Sequence, residues 1–189
     1  METKTFNLKG VSPLLMHNVR MANPGDAAAM ELKKVSAKQK KTDSDYTRMS
    51  EIEFRGGLYL NGDLRIIIPA KCIEAAIYEA AGKIMRSGKK LFKSSVFVFE
   101  DSILGYDGPK DPEKLAEDQR FYSVEPVVIQ RKRIMRTRPI FRTWSAETVV
   151  TYFPESVNES QVNDAIEYAG RMVGLCDWRP RYGRFEIEK

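Results

Sequence analysis

The order of elements along these 189 residues predicts an α+β fold: a ferredoxin-like (RRM-like) βαββαβ core with a long insertion after the first strand. Three observations carry that prediction. Apolar residues at three- and four-residue spacing mark two helices, at 69–86 and 158–173. Short β-branched and aromatic runs flank each helix, and a polar, Lys-rich stretch at 18–50 separates the first strand from the rest. With 42% hydrophobic and 30% charged residues, the whole of 1–189 suits one compact domain.

Each element has its own signal. Thr5-Phe6-Asn7-Leu8-Lys9-Gly10 alternates as a first strand and stops at Gly10 and Pro13. In 18–50 the apolar content falls and Asn23-Pro24-Gly25 marks a turn; a short helix is expected at 27–34 and a solvated, mobile stretch around 38–44. Gly56 to Leu60 and Leu64 to Ile68 read as two strands joined at Asn61-Gly62, a hairpin signal. Pro69 then opens a helix whose apolar stripe is Ile73, Ala76, Ile77, Ala80 and Ile84. Val96 to Phe99 reads as a buried strand, and 105–118 as an acidic surface loop.

In the last third, 124–129 and 140–153 are rich in β-branched and aromatic residues and are expected to pair as one long hairpin, with the basic run between them as its exposed continuation or turn. Asn158-Glu159-Ser160-Gln161 is a capping-box start for the second helix, which ends at Gly174. A glycine-bracketed loop and a closing strand at 184–187 complete the chain.

Several function classes drop out on composition. The longest aliphatic runs are three residues, Ile66 to Ile68 and Val127 to Ile129, against the ~20 needed to span a bilayer. The N-terminus opens no apolar signal region, so a cytoplasmic protein without a membrane partner is expected. Cys72, Cys176 and the single His17 make no disulfide framework and no zinc-ligand spacing; no metal and no cofactor are expected. The net charge of +5, from 31 Lys and Arg against 26 Asp and Glu, allows a polyanionic partner but decides nothing, because phosphates are held by local clusters.

One such cluster is Arg131, Lys132, Arg133, Arg136, Arg138 and Arg142, with no acidic residue from 131 to 141. Cations so close repel one another, and a bound polyanion relieves that cost. Pro139, Phe141 and Trp144 lie beside them as candidate stacking surfaces, the alternative being ordinary core aromatics. A second candidate surface is Trp178, Arg179, Arg181 and Tyr182 between Gly174 and Gly183, where glycines permit close approach to a ligand; equally, the loop could cap the core. A third is Lys33, Lys34 and Lys38 of the insertion, or simply a solvated loop. His17 as a general base and Asp26 as a metal- or phosphate-positioning group are weaker catalytic candidates, since neither has a partner acid or base in the sequence.

Three segments resemble the RAMP superfamily, especially the CRISPR Cascade-type backbone subunit. Ser12-Pro13-Leu14-Leu15-Met16-His17 is similar to the segment closing the family's first strand, Ile68-Pro69-Ala70-Lys71-Cys72-Ile73-Glu74-Ala75-Ala76 to its strand-to-helix entry, and 174–185 to its C-terminal glycine-rich loop. Ala70, Cys72 and Cys176 depart from the small residues common there. The resemblance implies a non-catalytic, CRISPR-associated subunit of antiviral defence that binds single-stranded RNA, or DNA. It also implies head-to-tail self-association into a filament or multisubunit assembly, with 18–50 as a thumb reaching a neighbour. The alternatives are a RAMP-type endoribonuclease using His17 or Asp26, and a protein-interaction decoy of an RNA-guided complex.

Overall fold

The computed structural model describes residues 1–129 and 131–188. It is a mixed α+β architecture of antiparallel sheets with six α-helices among the described residues. The main sheet has the strand order β3-β5-β8-β1-β9, with β4 also pairing β8: β1 is Glu2–Gly10, β3 Ile67–Ile68, β4 Val96–Phe97, β5 Ser102–Gly105, β8 Ser145–Tyr152 and β9 Phe185–Glu188. Every pairing in it is antiparallel.

Period-two alternation sets the faces of this sheet. On β1 and β8, Phe6, Leu8, Ala146, Val150 and Tyr152 point inward, while Thr5, Asn7, Lys9, Ser145, Glu147 and Val149 point to solvent. The inner face is covered by α3 (Ala70–Ile84) and α6 (Glu159–Tyr168), which pack on each other. The α3 stripe predicted from the sequence is the stripe that is buried, save Ile84 at the helix end. The capping box of α6 also forms: the Gln161 N–H donates to the Asn158 side chain at 2.9 Å, and the Asn158 N–H to Gln161 Oε1 at 3.0 Å. Burial of one amphipathic face per helix, at roughly 25 cal/mol per Å² of apolar surface, holds this layer together.

A second, three-stranded sheet has the order β2-β7-β6, with β2 Leu14–Leu15, β6 Tyr122–Ile129 and β7 Lys132–Phe141. Here the strand-pairing expectation is corrected. Of the two placements expected for the basic run, strand continuation holds for all but Arg131, which lies in the turn; but the partner differs, since the run is most of β7, which pairs with β6 from Tyr122↔Pro139 to Ile129↔Lys132. The 140–153 stretch divides, because Arg142 to Trp144 leave one sheet and β8 joins the other, where Trp144 is buried and donates to the Ser12 carbonyl at 2.8 Å. A long apolar run thus serves two sheets.

The insertion is also more ordered than its polarity predicts. It forms a 3-10 turn at Val19–Ala22, then α1 (Ala27–Ser36) and α2 (Asp43–Gly57). Thr42 and Asp45 form a capping box, and Ile52, Glu53 and Phe54 are buried against β7 and its neighbours, with Phe54 stacked on Tyr122 at 4.2 Å. The helix therefore runs through the glycines that read as a strand start. Of the hairpin expected at 56–68 only a Leu60↔Ile66 bridge and the two residues of β3 remain, because the Asn61 side chain accepts the N–H groups of Asp63 and Arg65 and closes a local turn. The acidic loop expected at 105–118 contains α5 (Pro112–Ala116), whose Leu115 is fully buried.

Candidate nucleic-acid interface

The six cations predicted as one cluster have different fates. Arg131 and Arg133 are exposed at the tip of the β6–β7 hairpin, with Arg131 in the turn at φ +67°, and neither is ion-paired among the described residues. Lys132 pairs with Ile129 in the backbone register, but its side chain lies outside the described residues. Arg142 is exposed and donates to the Arg120 carbonyl.

Arg136 is half-buried and Arg138 buried. Arg136 is ion-paired to Glu53 of α2, a carboxylate only 8% exposed, whose second oxygen accepts the Thr137 N–H at 2.8 Å. Glu53 thus closes the edge of β7 that faces away from β6. Arg138 lies 2.8 Å from Asp177 and stacks its guanidinium over Trp178, 4.7 Å from the ring centroid. Relief of cation repulsion at these two positions comes from carboxylates distant in sequence rather than from a polyanion. Pro139, Phe141 and Trp144 are buried, so they serve as core and not as stacking surfaces.

The C-terminal loop is built by contact with itself and with the β1–β2 connection. Gly183 donates to the Pro13 carbonyl at 2.8 Å, Leu175 to Gly183 at 2.9 Å and Asp177 to Leu15 at 3.0 Å. Gly174 and Gly183 have φ of +78° and +74°, and a Cβ on Gly183 would lie 2.1 Å from the Leu175 oxygen. Their close approach is to this loop's own backbone. The folding leaves Trp178 37% exposed, with Tyr182 tilted beside it at 6.2 Å, Arg181 near the Tyr182 ring, and Arg179 3.8 Å from Glu79. Arg138 physically joins the hairpin to this loop, which the sequence kept as two separate features.

The insertion lysines stand elsewhere. Lys33 and Lys34 are exposed in the last turn of α1, and Lys38 is paired with Asp45 at 2.5 Å. Asp26 is committed to structure. It caps α1 by accepting the Ala28 N–H at 2.9 Å, and the Arg20 guanidinium hydrogen-bonded to it holds its carboxyl below the usual range. His17 is exposed at the rim of a pocket shared with Arg136 and Arg138. The atoms crowded about the ring, and then the Arg138 charge, push its pKa down. Cys72, half-buried on α3, and Cys176 of the C-terminal loop are both free thiols. Among the described residues no group of three or more His, Cys, Asp or Glu side chains could hold a metal ion, and no helix is long and apolar enough to cross a membrane.

Glu53 and Asp177 are the residues that sequence reasoning missed. The available signal was a lone carboxylate inside an apolar run, Ile52-Glu53-Phe54, and another between Cys176 and Trp178. No protein-family model and no curated protein matches the chain.

Proposed function

We propose that this chain is a non-catalytic, RAMP-type subunit that binds single-stranded nucleic acid, RNA in preference to DNA, and assembles head to tail along the strand. The observation that carries the reading is the pair of exposed arginines Arg131 and Arg133, without an ion pair among the described residues, at the tip of the hairpin whose β7 carries the Arg138–Trp178 stack. Unpaired guanidinium groups engage phosphates without first breaking an ion pair, and a half-exposed indole beside Arg181 and Tyr182 gives bases a stacking platform.

The strand order also supports a ferredoxin-like core. Read as β1-α3-β5 and β8-α6-β9, the chain has two βαβ halves whose first strands, β1 and β8, are central neighbours flanked by β9 and β5. On this reading α1 and α2 are the thumb, and their exposed Lys33 and Lys34 extend the basic surface toward a neighbouring subunit.

Fluorescence anisotropy with labelled single-stranded RNA and DNA across a salt series tests the proposal. Affinity is expected to fall steeply with salt and to drop on Arg131→Glu plus Arg133→Glu. Weak binding at low salt that the double variant leaves unchanged rejects it. Light scattering with and without RNA tests the assembly: mass growth with concentration is expected, and a strict monomer in both conditions removes the filament.

A further inference from the structure

The pocket rimmed by His17 is distinct from the exposed hairpin tip. Its volume is about 320 Å³, within the ~300–1,000 Å³ range of small-ligand sites. Its walls differ in chemistry. Met21, Ala22 and Leu32 of the insertion, with Val127 of β6, are apolar; His17, Arg136 and Arg138 are basic.

Arg138 is the decisive group. It is 8% exposed, and although Asp177 balances its charge, Nε and Nη1 of Arg138 and Oδ2 of Asp177 all lack an aligned hydrogen-bond partner. A buried guanidinium whose hydrogen bonds are incomplete is costly, and an anion beside it offsets part of that cost through its charge. A bare anion would satisfy the arginine and leave the apolar wall wet. A ligand joining an anion to a flat apolar body covers both.

We propose that this pocket is a binding site for a single nucleotide unit, its phosphate held by the Arg136 and Arg138 guanidinium groups and the His17 ring and its base lying against Met21, Leu32 and Val127. The site does not rest on the strand-binding reading. The groups facing His17 are Arg138 and Arg136, which disfavour its protonation, and Asp177 and Glu53, which favour it. A phosphate arriving between the arginines and the imidazole shifts that balance toward the protonated ring. Binding therefore strengthens as pH falls through the imidazole range.

Isothermal titration of the full chain with AMP, with the dinucleoside monophosphate ApA, and with adenosine and inorganic phosphate separately tests the site. AMP or ApA is expected to bind at least tenfold tighter than either half-ligand. AMP as the stronger ligand identifies a terminal phosphate as the source, ApA a nucleotide within a strand. Leu32→Glu, which sets a carboxylate in the apolar wall of a half-buried position, is expected to weaken binding at least tenfold with an unchanged melting temperature. His17→Gln is expected to flatten the pH dependence of ApA binding, since the phosphodiester itself does not titrate there. Arg131→Glu plus Arg133→Glu should leave AMP affinity unaltered, so loss of strand binding and loss of this site are separable. The proposal is overturned if neither ligand binds, if phosphate alone binds as tightly as both, or if Leu32→Glu and His17→Gln are both without effect.

Discussion

The two sheets of this molecule carry charge in opposite ways. On the open face of the main sheet, Lys9 is ion-paired with Glu188 at 2.9 Å, and Glu147 and Glu186 stand exposed opposite Asn7 and Lys9. On the β6–β7 hairpin, Arg131 and Arg133 are exposed without an ion pair among the described residues, and half-buried Arg136 and buried Arg138 are each matched to one carboxylate. The difference is one of solvation. An exposed cation is stabilised by water and needs no partner, whereas a buried one must be given a carboxylate by the fold. The solvent-facing strand positions of the main sheet carry Glu147, Glu186 and Glu188 against Lys9. The arginine-rich surface belongs to the smaller sheet.

The strongest way to break this contrast is at the buried end of the basic run. Glu53→Gln leaves Arg136 without its counter-ion and weakens the acceptor of the Thr137 N–H, at an expected cost on the order of 3 kcal/mol in urea unfolding. A loss below about 1 kcal/mol would mean that water already substitutes for the carboxylate. Next in size is Gly183→Ala. It forces a Cβ into a φ of +74° and to 2.1 Å from the Leu175 oxygen, and is expected to cost about 2 kcal/mol. Because the loop seats Asp177 and Trp178 against Arg138, the tryptophan fluorescence should shift with it.

The exposed end is sharpened by binding measurements. Arg131→Ala plus Arg133→Ala is expected to weaken single-stranded RNA about tenfold, close to 1.4 kcal/mol, and to reduce the salt slope by about two, with the melting temperature unchanged. Reversing the open face with Glu147→Lys plus Glu188→Lys should leave RNA affinity within about twofold. A gain as large as the hairpin's loss would place the strand on the main sheet instead.

The smallest effect concerns the insertion. The Lys38 ammonium hydrogen-bonded to Asp45, with the Thr42 N–H, lowers the Asp45 pKa from 3.8 to about 2. A depressed carboxyl pKa adds stability above the unfolded value and loses it as pH falls through the folded one. Wild type and Asp45→Asn should therefore differ in urea midpoint above about pH 4 and converge as the pH approaches 2.

Much of the local structure was legible in the residues. α3 follows from Pro69 and a clean apolar stripe, α6 from its capping box, and β1 and β9 from their alternation, because these signals arise between residues a few positions apart. α2 was legible in principle through Thr42-Asp43-Ser44-Asp45, a capping-box pattern submerged in a polar background. The partition of 140–153 between two sheets was not, since β-branched and aromatic residues favour a strand without specifying its partner. Nor was the division of the arginines into buried and exposed.

The sequence by itself determined the α+β class, the two helices that cover the main sheet and the concentration of arginine at 131–142. Tertiary structure alone decided which of those arginines meet water. The carboxylate that neutralises Arg136 lies 83 positions away on α2, and the one facing Arg138 lies in the C-terminal loop. Desolvation is a property of the space around a side chain, and a chain read residue by residue carries no measure of that space until the fold closes it.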